Sequence, residues 1–476
     1  MRGLGLLIFT VLTACTASQT QIPIPTVEPT PAGPTQTHSP LATERQPTLP
    51  GVPTDLERTL YSIDAVFDFE AHFLIASQSI RYVNQSEEQL NELILLSFAH
   101  QYGANLQVTA LNRADGGVVD LVQDTEGRWR LHLFDPLLPN HEVELHLTFT
   151  LVLPNANGPL GWNARQTNFI DWYPFIPPYI PFDWIEYEPG AVGEYQVYES
   201  ADFSVQLDIL NAPGTLIVAA AGSPLEGGLD FSLQNARHFV WSLSSQYSRL
   251  ESRQNGVSVS IYFLEDQRDA AEAALEVAKQ ALEIYSDLFG PYPYQSLSIV
   301  EATFPDGMES DGLFFLDQFY FQTYSYDRRN YLTALTAHEI AHNWWFGLVG
   351  NDQAREPWLD EALATYSELL YYEKAFPDLV AWWWEFRIDR FEPSGWVDST
   401  IYEHKEFSPY VHAVYMRGAQ FLGEVREAIG DEAFFVFLRE YADLGAGRIV
   451  SAEEFLGKLT TASTFNLTPI IDKYFR

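Results

Sequence analysis

The feature that most narrows what this 476-residue chain can fold into is a five-residue run, His338-Glu339-Ile340-Ala341-His342, inside an apolar stretch. Leu332-Thr333-Ala334-Leu335 lead into it and Trp344-Trp345-Phe346 follow, so the spacing predicts a helix from Leu332 to Phe346. Positions i and i+4 of a helix lie one turn apart on the same face, so both imidazoles can reach one metal ion while Glu339 points to the water on that ion. Histidine ligands indicate zinc first. After His342 come 18 residues and then Glu361, in Trp358-Leu359-Asp360-Glu361-Ala362. That gap lets the first helix finish and turns the chain through Gly347, Gly350, Asn351 and Asp352. A second helix then starts at Pro357, a favoured first position, with Glu361 facing back. Two His and one Glu leave the fourth position of the ion open, the arrangement of a catalytic zinc and not a structural one. The chain must therefore bring two helices face to face around one zinc per chain.

Composition removes several alternatives. Lys plus Arg number 27 against 64 Asp plus Glu, a net charge of −37, which repels a phosphate backbone and excludes nucleic acid as a partner. The single cysteine, Cys15, excludes a disulfide framework, a thiolate metal cluster and a catalytic cysteine in the folded part. Arg2, the apolar run Leu4 to Leu12 and the small residues Thr13 and Ala14 have the layout of an export signal. Leu12-Thr13-Ala14-Cys15 looks like the lipobox of bacterial lipoproteins. That resemblance implies a signal peptide over 1–14, lipid attachment at Cys15, and an extracytoplasmic protein held to the cell membrane by that anchor. Residues 15–54 are rich in Pro, Thr, Ser and Gln with few large apolar side chains, which reads as an extended tether.

From 55 to 262 the chain reads as β-rich. Val143, Leu145, Leu147, Phe149 and Leu151 alternate with polar residues, as do Phe203, Val205, Leu207 and Ile209. Trp172 to Tyr179 carries too many prolines for a central strand and is expected as a packed loop. From Ala270 the period becomes helical and runs to the stop signal Gly290-Pro291, and further helices are expected over 357–376, 415–428 and 431–444. His132, His141, His146 and His238 fall in the β-rich half and are read as solvated or packed side chains.

The residues around the two-histidine run resemble a known family. His338 to His342, the 18-residue gap and Glu361 resemble the gluzincins, and the flanking residues narrow this to the zinc aminopeptidases typified by aminopeptidase N. His338 to Trp345 looks like that family's extended zinc helix, and Trp358 to Ala362 looks like its W-L-x-E-G segment. Gly307-Met308-Glu309 matches the core of the G-A-M-E-N exopeptidase motif, and Tyr415-Met416-Arg417-Gly418-Ala419 matches Y-x-K-G-A. The resemblance covers about residues 55–476. It implies an N-terminal all-β saddle or sandwich domain over 55–262, followed by a mainly α-helical, thermolysin-like (α+β) catalytic domain over 263–476.

The implied activity is zinc-dependent hydrolysis of N-terminal residues from peptides. Glu339 would be the general base and Tyr415 the donor to the oxyanion, while Glu309, beside Gly307 and Met308, would hold the substrate's α-amine by charge-assisted hydrogen bonds. Asp306 and Asp311 flank Glu309. They either line the pocket, favouring a basic N-terminal residue, or form a solvated acidic loop. Asp306 and Gly307 replace the family's Gly-Ala, Ser310 its Asn, and Ala362 the glycine after the ligand glutamate. The chain ends soon after Tyr415, so the family's large helical C-terminal domain is expected to be absent and the cleft open. Two other readings stay open: a zinc endopeptidase using that cleft, or a non-catalytic zinc lipoprotein that binds a polymer or partner through its acidic β-domain. Nothing in the sequence sets an oligomeric state.

Overall fold

The computed structural model describes residues 58–476 apart from 181, 226, 227 and 265. The expected signal peptide over 1–14, Cys15 and the expected tether lie outside the described residues. Alternating burial builds the N-terminal part. Glu142–Val152 buries every second side chain, and with six further strands it forms a seven-stranded sheet. The order is Ser223–Pro224, Asp230–Ala236, Ala201–Leu210, Thr59–Asp68, Phe73–Val83, Glu142–Val152, Asn105–Arg113. Phe67 from this sheet meets Trp241, which stacks on Phe169 at 3.7 Å in a separate four-stranded sheet, so the apolar faces close on one another. The Trp172–Tyr179 stretch is a buried loop, as its prolines require. Gln78 donates to the Pro174 carbonyl at 2.8 Å, and Phe175 exchanges backbone bonds with Leu96.

The C-terminal part is a five-stranded sheet packed with helices. Its order is Tyr247–Gln254, Val257–Leu264, Ser296–Ala302, Leu313–Asp317, Gly307–Met308, so one sheet spans both sides of the 262/263 junction and Gly307–Met308 is its free edge. Helix α1 (Arg268–Phe289) lies against α2 (Tyr331–Ala341) and α3 (Trp358–Ala375), and Tyr285 of α1 donates to the carbonyls of Ala337 and Ser367, tying the three together. Helix α4 (Arg417–Ile429) crosses α3 where a Cβ on Gly418 would meet the Ala362 methyl at 2.3 Å. Gly418 thus makes room for the methyl that replaces the family's glycine at 362.

Arg237 joins the β-rich and helical parts. Its buried guanidinium donates to the carbonyls of Phe346 (2.8 Å), Tyr198 (2.9 Å), Arg448 (2.8 Å) and Leu348 (3.5 Å), which come from three separate segments. The described residues form one compact unit, and no helix among them is long and apolar enough to cross a membrane.

Candidate active site

Helix α2 is buried on nearly every side, with Leu332 to Ala341 inside except for half-buried Leu335. An apolar helix with His and Glu on it has no water to satisfy them, so the polar groups must find each other. Asn330 caps its start by accepting from Thr333 N–H. The helix is shorter than the spacing predicts, ending at Ala341 with His342 as its cap. Beyond it Gly347, Leu348 and Val349 bond back five residues instead of four, and Phe346 takes φ 139°, so Trp344 to Phe346 form a wide turn that still buries their rings.

The two imidazoles are oriented from behind. His338 Nδ1 donates to Glu368 Oε1 at 3.1 Å, and His342 Nδ1 donates to the Trp345 carbonyl at 3.0 Å. Both Nε2 lone pairs are thereby aimed at one point, 3.1 Å apart, with Glu361 Oε2 at 3.3 and 3.6 Å from them. Three donors on the edges of a tetrahedron with zinc bonds of about 2.0–2.1 Å are separated by about 3.3 Å, so the spacing suits that ion. Electrostatics agree. Burial opposes a charged His338, but Glu361 and Glu368 outweigh it and lift the imidazole to about 9. Burial likewise opposes a charged Glu361, but the two histidines hold it at about 2. Buried Glu361 Oε2 and Glu339 Oε2 lack a well-angled hydrogen-bond donor. The pocket calls for positive charge, and a zinc ion fits these donors.

The other expected residues converge here. Glu339 is buried, which pushes its carboxyl up to about 8, and its Oε1 would lie 2.0 Å from a Cβ on Gly307. The bare Cα of Gly307, in place of the family's alanine, leaves space for that carboxylate. Oxygens of Glu309 and Glu339 and a nitrogen of His342 all lie within 4.8 Å of one another. Met308 is half-buried beside them on the sheet edge. Tyr415 sits on a π-helical turn, His412–Met416, that precedes α4, and its ring is parallel to that of His338 at 6.1 Å. Burial keeps its hydroxyl protonated, well above the ordinary tyrosine value.

Neither expectation for Asp311 holds. It is wholly buried and accepts from Arg237 N–H (2.8 Å), His238 N–H (3.0 Å) and Tyr294, so it pins the Glu309 loop to the β-rich part. His238 is the packed side chain expected, with its Nδ1 at 3.2 Å from Asp311. Asp306 is exposed and accepts from the Tyr320 hydroxyl at 2.9 Å.

Sequence reasoning missed Glu368, Gln353 and Glu194 and the residues that hold them. Glu368 lies two turns beyond Glu361 on one helix face, a spacing that could have revealed it. It is fully buried and also accepts from Trp383 Nε1 (3.0 Å) and from Arg387 Nε and Nη2 (2.7 and 2.6 Å). Gln353 donates to Glu309 Oε1 at 3.3 Å and to buried Asp360 Oδ2 at 3.1 Å. Glu194 arrives on a loop of the β-rich part through Gly193, which has φ +75° and stands where a Cβ would strike Ile401 and Tyr410. Burial, then the charges of Glu309, Glu361 and Asp360, push the Glu194 carboxyl well above its ordinary range.

The donor set, two imidazoles and one carboxylate brought together from two helices, suits a zinc ion. Residues 273–474 match the model of the Peptidase family M1 domain. The fold resembles an M1 zinc metallopeptidase from Deinococcus radiodurans at TM-score 0.62 and 18% identity, over 88% of this chain and 93% of the other. A variant of that protein bound to a Tyr-Ser-Ala substrate aligns at TM-score 0.63 and 19% identity, over 90% and 96%. Among curated proteins, endoplasmic reticulum aminopeptidase 1 of Homo sapiens is 26% identical over 48% of this chain and 26% of its own length. Aminopeptidase N of Lactobacillus delbrueckii subsp. lactis is 23% identical over 57% and 35%. The chain thus spans about a quarter to a third of these curated relatives.

Proposed function

We propose that this protein is a zinc aminopeptidase that removes N-terminal residues from peptides. The observation that carries the reading is the placement of Glu309 beside Glu339 and His342, with Glu194 and Asp360 close by. These like charges are costly together, and a substrate ammonium group placed among them relieves the repulsion. They mark the end of the cleft where a free α-amine belongs, one residue from the scissile bond.

His338, His342 and Glu361 would hold the zinc, which would supply Lewis acidity towards the scissile carbonyl and the attacking water. Glu339, its carboxyl raised into the neutral range, takes the water's proton and hands it to the departing amine. Tyr415 keeps its proton and donates to the oxyanion that develops beside His338. The edge strand Gly307–Met308 presents free backbone groups to which the peptide adds as an antiparallel strand.

The test is one defined peptide beside its N-acetylated copy, with products identified by mass. Cleavage of the free peptide alone supports the reading; equal cleavage of both would replace it with the endopeptidase reading. We also propose that Cys15 carries a lipid anchor outside the cytoplasmic membrane, supported by the Leu12-Thr13-Ala14-Cys15 run and the polar tether after it. Cys15→Ser should release the protein from membranes. Recovery of the unsubstituted protein in the soluble fraction would refute the anchor.

A further inference from the structure

We infer that Arg390 recognises the C-terminal carboxylate of short peptide substrates, so that the cleft measures peptide length as well as reading the amine. The inference rests on the aminopeptidase reading and deepens it by naming the substrate class.

Direction comes first. The Glu309 end of the sheet edge lies by His342, at the C-terminal end of α2, and a peptide held there by its amine runs back along Gly307 toward Asp306. Asp306 accepts from Tyr320, and the Tyr320 ring lies 6.2 Å from that of Tyr331, the first residue of α2. Tyr331 and His338 are seven residues apart, two turns of helix, so they share a face and are separated by about 10 Å along the axis. The cleft floor therefore runs from the zinc ligands to Tyr331.

Arg390 waits at that far end. Its Nη2 donates to the Tyr331 hydroxyl at 2.9 Å. Its guanidinium lies over the Phe386 ring at 4.3 Å and the Phe391 ring at 4.6 Å, and the Phe386 ring is 4.7 Å from that of Tyr331. The fork is thus held on aromatic faces, and among the described residues it forms no ion pair, although Asp389 and Glu392 flank it in sequence. Its remaining N–H groups suit a carboxylate, which they can grip with two bonds. In a chain of net charge −37, a cation at one end of the cleft and carboxylates at the other give a polarity opposite to that of a zwitterionic peptide. An extended chain covers about 3.3–3.6 Å per residue, so three residues past the scissile bond reach Arg390. The best substrate is a tetrapeptide.

The experiment uses the full-length, zinc-loaded protein with leucine p-nitroanilide and with leucine-initiated tri-, tetra- and hexapeptides, each as free acid and as C-terminal amide. The wild type should favour the tetrapeptide acid over its amide by about tenfold in kcat/KM, almost all of it in KM, because the contact is remote from the reacting bond. In Arg390→Ala the acid and amide should become equal. Arg390→Lys, a point charge without the fork, should keep part of the preference, and zinc content confirms that each variant is folded. Equal acid and amide rates in the wild type, a preference that survives Arg390→Ala, or one that is the same at every length would overturn the assignment. Anilide turnover separates the layers. Its absence in the wild type would overturn the aminopeptidase reading and this one with it, whereas acid–amide parity with anilide turnover intact overturns this one alone.

Discussion

Replacing Glu368 should damage metal binding and stability by two separable routes. This carboxylate is fully buried, and burial alone would raise it, but Arg387 and then His338 hold it at about 2. It accepts four bonds: one from His338, one from Trp383 and two from Arg387. Glu368→Ala leaves the Arg387 guanidinium buried without a counter-charge, which costs about 3–5 kcal/mol of folding free energy. It also frees the His338 ring to rotate and change tautomer, and loss of such an orienting partner lowers metal affinity about 10–100-fold, or about 1.4–2.7 kcal/mol. The double variant Glu368→Met with Arg387→Met removes both charges together. It should recover most of the stability while metal affinity stays low, since nothing then orients His338. Urea unfolding in the presence of a chelator reads the first quantity, and zinc competition against a chromophoric chelator reads the second. Zinc affinity within twofold of wild type in Glu368→Ala would refute the orienting role. A double variant no more stable than Glu368→Ala would refute the charge-burial account.

Further tests address other links. Glu339→Gln should abolish turnover while one zinc per chain is retained by elemental analysis, because Glu339 is not a ligand; normal turnover would remove its role as base. Glu309→Ala should raise KM and lower kcat on free peptides, a loss of about 1.5–3 kcal/mol in transition-state binding, with zinc content normal. An unchanged kcat/KM would show that the amine is held elsewhere. Glu301 is buried, which raises its carboxyl to about 7 against the counteracting bond from Leu264 N–H. The folded state therefore binds its proton more tightly than the unfolded chain does, so its contribution is full below about pH 4.5 and is lost as pH rises through 7. Glu301→Gln should be more stable than wild type by about 3 kcal/mol at pH 8 and no different near pH 4 by denaturant titration. A difference independent of pH would contradict that.

What could be read from the chain was whatever its local spacing encodes. His338, His342 and Glu361 depend on helix periodicity and one loop length, and they meet as expected. Half-buried strands such as Glu142–Val152 and Ala201–Leu210 announce themselves by alternation. Their partners do not. Thr59–Asp68 lies parallel to Ala201–Leu210, a pairing across more than a hundred residues that no pattern in either strand specifies. Glu194 was invisible for a similar reason, since an irregular loop brings it to Glu309 and only docking decides where such a loop ends. Asp311 was misread because a sequence shows charge but not burial. Three acidic residues close together look like a solvated turn until Arg237, His238 and Tyr294 are seen to surround one of them. The early end of α2 at Ala341 follows from the wide turn at Phe346, whose φ of 139° no side-chain pattern foretells.

Proteins assembled from two regions usually have a seam, and seams are where hinges form. The Arg237 guanidinium closes this one. Sliding the regions past each other would strip a buried cation of carbonyl partners drawn from Tyr198, Phe346, Leu348 and Arg448, at a cost of several kcal/mol. The wall that carries Glu194 and the floor that carries His338 and His342 therefore travel as one body. Under the proposed activity, catalysis at constant shape would have no clamshell stroke to wait for, so throughput would be governed by bond cleavage and by how quickly fragments diffuse out. Heating should accelerate turnover along a single straight Arrhenius line until the whole assembly melts, and activity and fold should then vanish at the same temperature.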